Sequence, residues 1–143
     1  KSTGVKNYGK FNNYGYRGLY NGETAKDIAN RKGISDKEDI LDYMSSTELA
    51  ANLFRITQTD EVLKNKNINN EDDACITHHK VGQAVRQTIK KIGGTMPEDL
   101  PTPTKSAKQI EKEKNKEIAF KDNKKLKKWI EQTRKNCELK ISW

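Results

Sequence analysis

Long apolar runs, proline and cysteine are all scarce in this 143-residue sequence. No apolar run approaches the roughly 18 residues of a membrane-spanning helix, so we expect no membrane association. The two cysteines, Cys75 and Cys137, match no disulfide or metal-site spacing, which predicts free thiols in a reducing, cytoplasmic compartment. Hydrophobic residues make up 32% of the chain and charged residues 34%. A compact core is therefore expected for only part of it.

Positive charge exceeds negative charge, and the excess is unevenly placed. The formal net charge is +8. Residues 105–143 hold 13 lysine and arginine residues against 6 acidic ones, a net of +7, whereas residues 1–104 hold 15 against 14, a net of +1. The basic segment suits a polyanion such as DNA or RNA. A solvated lysine-rich helix explains the same composition, and both interpretations stay open.

Aromatic residues concentrate in residues 1–22, among closely spaced glycines. Glycine and asparagine at this density predict turns rather than a helix or a long strand. We interpret the segment as an N-terminal arm whose rings pack into a helical core. The alternative, a stacking platform for nucleic-acid bases, lacks a recognisable strand platform.

Capping residues mark the starts of helices after this arm. Thr24 with Asp27 predicts a short helix that Gly33 ends. Ser35 with Glu38 predicts a second helix, with Ile40, Leu41 and Met44 on its apolar face. Helix, glycine turn and helix together suggest a helix-turn-helix. The second helix would be acidic and unsuited to DNA phosphates, so a plain helical hairpin is favoured.

Two longer helices follow. Ser45 with Glu48 caps the first. Its apolar residues are expected on the buried side: Leu49, Ala50, Leu53, Phe54, Ile56 and Thr57. Asn70 with Asp73 starts the second, which Gly93 and Gly94 stop. Its buried stripe is predicted to be Ala74, His78, Val81, Val85, Ile89 and Ile92. Gly82 interrupts this helix, which predicts close approach of a neighbouring helix.

The expected fold is all-α, a small bundle of four or five helices with an aromatic arm and a basic C-terminal helix. The predicted divisions are an arm over 1–22, a helical core over 23–94, a connector over 95–104 and a basic tail over 105–143. All three prolines lie in the connector, which predicts a stiff, extended segment. In the tail, Leu126, Trp129 and Ile130 form an apolar patch that must pack on the body, on another copy or on a partner.

No catalytic constellation is recognisable. The pair His78-His79 cannot chelate one ion, because adjacent helical positions point about 100° apart. His78 lies on the apolar stripe and is expected to be a hydrogen-bonded core residue. The sequence has no phosphate loop, nucleophile elbow or zinc pattern, so a binding module without metal or cofactor is favoured over an enzyme.

Several strings nevertheless occur together in a familiar order. They are Asn13 to Tyr20, Ile40 to Thr59, His78-x-x-Val-Gly-x-x-Val-Arg86, and Gly93-Gly-Thr-Met-Pro-Glu98. Over about residues 11–111 they resemble the C-terminal half of the DNA-damage-inducible protein D family. The resemblance implies a bacterial or phage-borne protein of the SOS response, with an antirepressor-like domain before this region. The family's best-known member disassembles RecA filaments on single-stranded DNA.

The resemblance transfers no catalytic residue, but it marks positions for a polar surface or a buried network. These partner or network candidates are Tyr16, Arg17, Asn52, Arg55, Gln58, His78 and Arg86. The buried network is preferred, because the fold has few large apolar residues.

The nucleic-acid candidates lie outside the resemblance. They are the tail residues Lys121, Lys124, Lys125, Lys127, Lys128, Arg134 and Lys135. The partner implied by the resemblance is a RecA-type recombinase or its filament on single-stranded DNA. Direct nucleic-acid binding and homo-oligomerisation, as in a phage antirepressor-like regulator, are the alternatives.

Overall fold

The computed structural model describes residues 3–35, 37–104, 109, 111–115 and 128–136. The chain divides into two compact units, residues 1–104 and residues 105–143. The first contains four α-helices: α1 (Tyr8–Leu19), α2 (Ala25–Lys32), α3 (Ser46–Asn65) and α4 (Glu71–Lys91). Two 3₁₀ helices, Ile40–Tyr43 and Pro97–Asp99, complete it. The described residues include no strand, which confirms the all-α prediction.

Three of the predicted helix starts are correct. Thr24 accepts a hydrogen bond from the backbone N–H of Asp27, Ser45 from that of Glu48, and Asn70 from that of Asp73. Each cap satisfies an amide that the first turn leaves unpaired. Gly33 ends α2 in the left-handed conformation with φ of 70°, which a residue without a side chain adopts at little cost.

The N-terminal arm is a helix, so the prediction of turns over residues 1–22 was wrong. Asn7 caps α1 through a hydrogen bond from Lys10 N, and Glu71 of α4 accepts from the amides of Lys6 and Asn7 at 2.9 and 2.7 Å. Two of the rings enter the core as expected, because Tyr16 and Tyr20 are buried, whereas Tyr8 is 58% exposed. Tertiary packing therefore overrides the low helix propensity of glycine.

Close packing against α4 explains the glycines of α1. The two helices run parallel and form the most extensive helix pair of this unit. A Cβ added to Gly82 would lie 2.7 Å from the carbonyl oxygen of Gly15 and 2.9 Å from the amide nitrogen of Leu19. Gly18 meets the backbone of α4 in the same way. The predicted packing role of Gly82 is confirmed.

The helix predicted after Ser35 does not form. Ser35 instead accepts from the amides of Lys37 and Glu38, which makes a turn. The described residues between Ser35 and Met44 form no helix besides the 3₁₀ helix Ile40–Tyr43. In an α-helix, Glu38 and Asp42 would stand one turn apart and repel each other. The structure thus contains neither a helix-turn-helix nor the favoured helical hairpin at this place.

The segment 95–104 packs against the body, which corrects the expectation of an extended connector. Glu98, in the 3₁₀ helix of this segment, forms a bidentate ion pair with Arg86, in which both nitrogen–oxygen distances are 2.8 Å. Its backbone carbonyl also accepts from Arg31, and Thr102 accepts from Lys32 at 3.1 Å. Side chains of α2 and α4 therefore fix this segment.

The two helical stretches described in the second unit fall within residues 109–115 and 128–136. Trp129 is 66% exposed and Ile130 is 44% exposed. Leu126, the third member of the predicted apolar patch, lies outside the described residues.

Candidate functional site

The core around α3 is polar. Glu48, in the first turn of α3, is completely buried and forms an ion pair with Lys32 of α2 at 2.7 Å. The hydroxyl of Tyr20 donates to the other carboxylate oxygen of Glu48 and accepts from Asn52 at 2.9 Å. Burial, together with the neighbouring Glu48, raises the pKa of Tyr20, so this hydroxyl keeps its proton.

The same chain of hydrogen bonds continues through Arg55, which is 1% exposed. Its guanidinium donates to Asn52 Oδ1 at 3.0 Å and to Nε2 of His78. Its central carbon also lies 4.6 Å from the centre of the Tyr16 ring, a cation–π contact. No described carboxylate makes an ion pair with Arg55, and its Nε is a buried donor without a partner. The interior therefore holds one more positive than negative charge.

His78 accepts from Arg55 because it is neutral. Its Nδ1 lies 2.8 Å from the carbonyl oxygen of Phe11, which can only accept, so Nδ1 carries the proton and Nε2 is free to accept. Burial and the positive charge of Arg55 lower the pKa of His78 from 6.5 to about 4, against the opposing effect of the Phe11 hydrogen bond. A second buried cation beside Arg55 is thereby avoided.

This polar interior fixes which side of α3 faces outwards. The buried residues of α3 are Glu48, Asn52, Arg55, Thr59 and Leu63. The predicted buried side was therefore wrong: Leu53 is 48% exposed, Phe54 52% and Ile56 39%. At 100° per residue, these three residues spread over about 160° of the solvent-facing side of α3, and we call this side the apolar face of α3. Exposed apolar side chains gathered on one helix are typical of an interaction surface.

A groove borders the apolar face. It lies between α1 and α3, has a volume of about 810 Å³, and is lined by Tyr8 and Phe11 of α1 and by Ile56 and Leu63 of α3. His78 of α4 also lines it. Asp60 and Glu61 contribute charged lining, and Asp60 pairs with Lys64 at 2.9 Å. The arrangement can receive an apolar side chain or a helix edge from another molecule.

The structure brings together four of the seven partner or network candidates. Tyr16, Asn52, Arg55 and His78 share the buried network. Arg17 and Gln58 are exposed and lie outside it. Arg86 lies about two turns beyond His78 along α4, where it pairs with Glu98 and donates to the carbonyl of Leu19.

Three members of the network were absent from the candidates: Lys32, Glu48 and Tyr20. The spacing of Glu48, Asn52, Arg55 and Thr59 is that of one helix face, and this polar stripe was the signal that could have found Glu48. Nothing in the local sequence marks Lys32, because its partner is on another helix.

Of the nucleic-acid candidates, Lys128, Arg134 and Lys135 lie on the helical stretch 128–136 and are exposed. Lys121, Lys124, Lys125 and Lys127 lie outside the described residues. Within the described ranges, no group of three or more histidine, cysteine or acidic residues is placed to hold a metal ion. None of the described helices is both long and apolar enough to cross a membrane.

Comparison with known proteins agrees with the resemblance seen in the sequence. The family model for the DinD C-terminal domain matches residues 1–110. The chain belongs to the DinD family. DNA damage-inducible protein D of Escherichia coli strain K12 is 57% identical over 101 residues, which is 71% of this chain and 37% of that protein. The chain thus spans well under half the length of this relative, and no solved structure matches it.

Proposed function

We propose that this chain is the partner-binding part of a non-enzymatic, cytoplasmic regulator of the DNA-damage response. It modulates a RecA-type recombinase filament through protein contacts near DNA. Membership of the DinD family and the name of the Escherichia coli relative support the connection with DNA damage. The apolar face of α3 is the observation that supports action through protein contacts.

An apolar face favours a protein partner over a nucleic acid. Leu53, Phe54 and Ile56 present hydrocarbon to solvent, whereas phosphate contacts are made by cationic and polar hydrogen-bond donors. Asp60 and Glu61 line the same groove as Ile56 and would repel a phosphate backbone. Lys64 also lines it, but its ammonium is paired with Asp60. Each of these side chains is already about half buried, so covering it contributes roughly half of the 1.5–3 kcal/mol of complete burial. This face is therefore suited to a protein contact.

The test is co-sedimentation with RecA filaments assembled on single-stranded DNA. The variant Leu53→Ser/Phe54→Ser should lose most of its binding, because it removes the apolar face without changing charge. Ile76 is 48% exposed and Ile92 is 77% exposed, so Ile76→Ser/Ile92→Ser is a matched control that should bind normally. Equal binding by both variants would contradict the proposal.

A second function, direct nucleic-acid binding by the basic tail, is favoured by the exposed side chains of Lys128, Arg134 and Lys135. It predicts binding that weakens steeply with salt. The variant Lys128→Gln/Arg134→Gln/Lys135→Gln should bind DNA less tightly and with a shallower salt dependence.

A third function is oligomerisation through the exposed side chains of Trp129 and Ile130. It predicts that replacing both residues with serine makes the chain a monomer. Light scattering would measure this change.

A further inference from the structure

The small net charge of residues 1–104 conceals a strong segregation of charge. Residues 1–22 carry four lysine or arginine residues and no acidic residue. Residues 74–97 also carry four basic residues and no acidic residue. Residues 23–73, in contrast, carry seven basic and twelve acidic residues. Helix α1 and the part of α4 that follows its acidic first turn, Glu71 to Asp73, therefore share the basic part of this unit.

Some of the exposed basic residues of this helix pair lie along one side of it. Lys80, Gln83, Gln87 and Lys91 recur at steps of three and four along α4, and all four are exposed. At 1.5 Å per residue, the stripe from Lys80 to Lys91 is about 16 Å long. Arg17 of α1 is also exposed and lies in the cleft beside it. The stripe thus has a cationic side chain at each end and two amide side chains between them.

A polar cleft runs beside this stripe. It has a volume of about 600 Å³ and is lined by Arg17, Asn21, His79, Gln83, Arg86 and Gln87. Arginine, asparagine, glutamine and histidine are side chains that contact phosphates and base edges. Arg86 is held by Glu98 at 2.8 Å, and Asp27 is close enough to Arg17 for that charge to lower its pKa. Asp99 also lies close enough to Arg86 for its charge to raise the pKa of that guanidinium. The cleft's arginines therefore have acidic neighbours in Asp27, Glu98 and Asp99.

We infer that the α1–α4 face, centred on Arg17, Gln83 and the Lys80–Lys91 stripe, binds the phosphodiester backbone of a single-stranded nucleic acid. The charge segregation provides the attraction for a polyanion, and the cleft provides hydrogen-bonding groups for exposed bases. A concave cleft receives a single strand, whereas reading duplex DNA in the major groove requires a protruding helix or ribbon. The residues of this site belong neither to the apolar face of α3 nor to the basic tail.

The experiment measures fluorescence anisotropy of a labelled 20-nucleotide oligo-dT with the full chain, between 50 and 200 mM salt. The variant Arg17→Gln/Lys80→Gln/Lys91→Gln removes three positive charges from the face. Lys26→Gln/Lys37→Gln/Lys66→Gln removes three from exposed positions on α2 and the loops. The tail is identical in both, so its contribution cancels in the comparison.

Loss of three phosphate contacts should weaken binding by the first variant and lower the slope of log affinity against log salt by about 2. The control should keep a slope close to that of the unchanged chain. Equal slopes for the two variants would overturn the inference, as would tighter binding to a duplex of the same length. The same measurement with oligo-U in place of oligo-dT shows whether the face binds RNA or DNA, which share the phosphodiester backbone. No recombinase is present, so failure here leaves the proposed protein contact untouched.

Discussion

Replacing Gly82 by alanine separates helix propensity from packing, because the two effects have opposite signs. In an exposed helix interior, glycine to alanine stabilises by about 1 kcal/mol. Here the new Cβ would lie 2.7 Å from the Gly15 carbonyl oxygen, 2.9 Å from Leu19 N and 3.1 Å from Gly18 Cα. All three are backbone atoms, so no side chain can rotate away. Helices α1 and α4 must separate instead.

Overpacking of this kind costs about 1–3 kcal/mol, and occasionally more. We therefore expect Gly82→Ala to lower the free energy of unfolding by about 2 kcal/mol, which corresponds to roughly 10 °C in the melting temperature of a domain of this size. Gly9→Ala is the matched control in α1. Its Cβ would meet only the Asn7 side chain at 3.5 Å, so this variant should be stabilised by up to about 1 kcal/mol.

Thermal and urea unfolding followed by far-UV circular dichroism is the appropriate assay. Both tryptophans, Trp129 and Trp143, belong to residues 105–143, whereas circular dichroism reports directly on the helices of the body. If Gly82→Ala were as stable as the unchanged chain, or more so, the close contact between α1 and α4 would be wrong. The reasoning would also fail if both variants shifted in the same direction.

Two further predictions concern the polar core. His78 has a pKa near 4 in the folded protein against 6.5 unfolded, so the unfolded chain binds more protons as the pH falls below 6.5. The free energy of unfolding should fall by about 2 kcal/mol between pH 7 and pH 5. Urea unfolding should show this as a lower midpoint concentration at pH 5. An unchanged midpoint would contradict a neutral, buried His78. Glu48→Gln should cost about 3–5 kcal/mol, because it leaves the buried Lys32 ammonium without its counter-charge. A double-mutant cycle with Lys32→Met should show strong coupling between the two residues, and a coupling energy near zero would refute their pairing.

Local signals located the helix starts well. Thr24, Ser45 and Asn70 cap their helices through bonds to residues three positions away, so the information lies within a few residues. The turn prediction for residues 1–22 failed because Gly15 and Gly18 were judged by propensity alone. These glycines are needed because they contact α4, which is more than 60 residues away in sequence. No local sequence pattern shows such a contact.

The orientation of α3 could not be read from hydrophobicity. Leu53, Phe54 and Ile56 have the composition of a buried face, but the buried positions belong to a polar stripe that includes Asn52 and Arg55. That stripe is stable inside only because Tyr20, Lys32 and His78 arrive from three other helices. The resemblance to a family singled out part of this network, since it marked Asn52, Arg55 and His78 without reference to hydrophobicity.

The most direct test of the central claim is hydroxyl-radical footprinting of the chain with RecA filaments on single-stranded DNA. Free in solution, Leu53, Phe54 and Ile56 should be oxidised readily, as should the comparably exposed Ile76. On filament binding, the three residues of the apolar face of α3 should become protected while Ile76 and Ile92 stay reactive. Unchanged oxidation of the apolar face in a filament-bound chain would contradict the account.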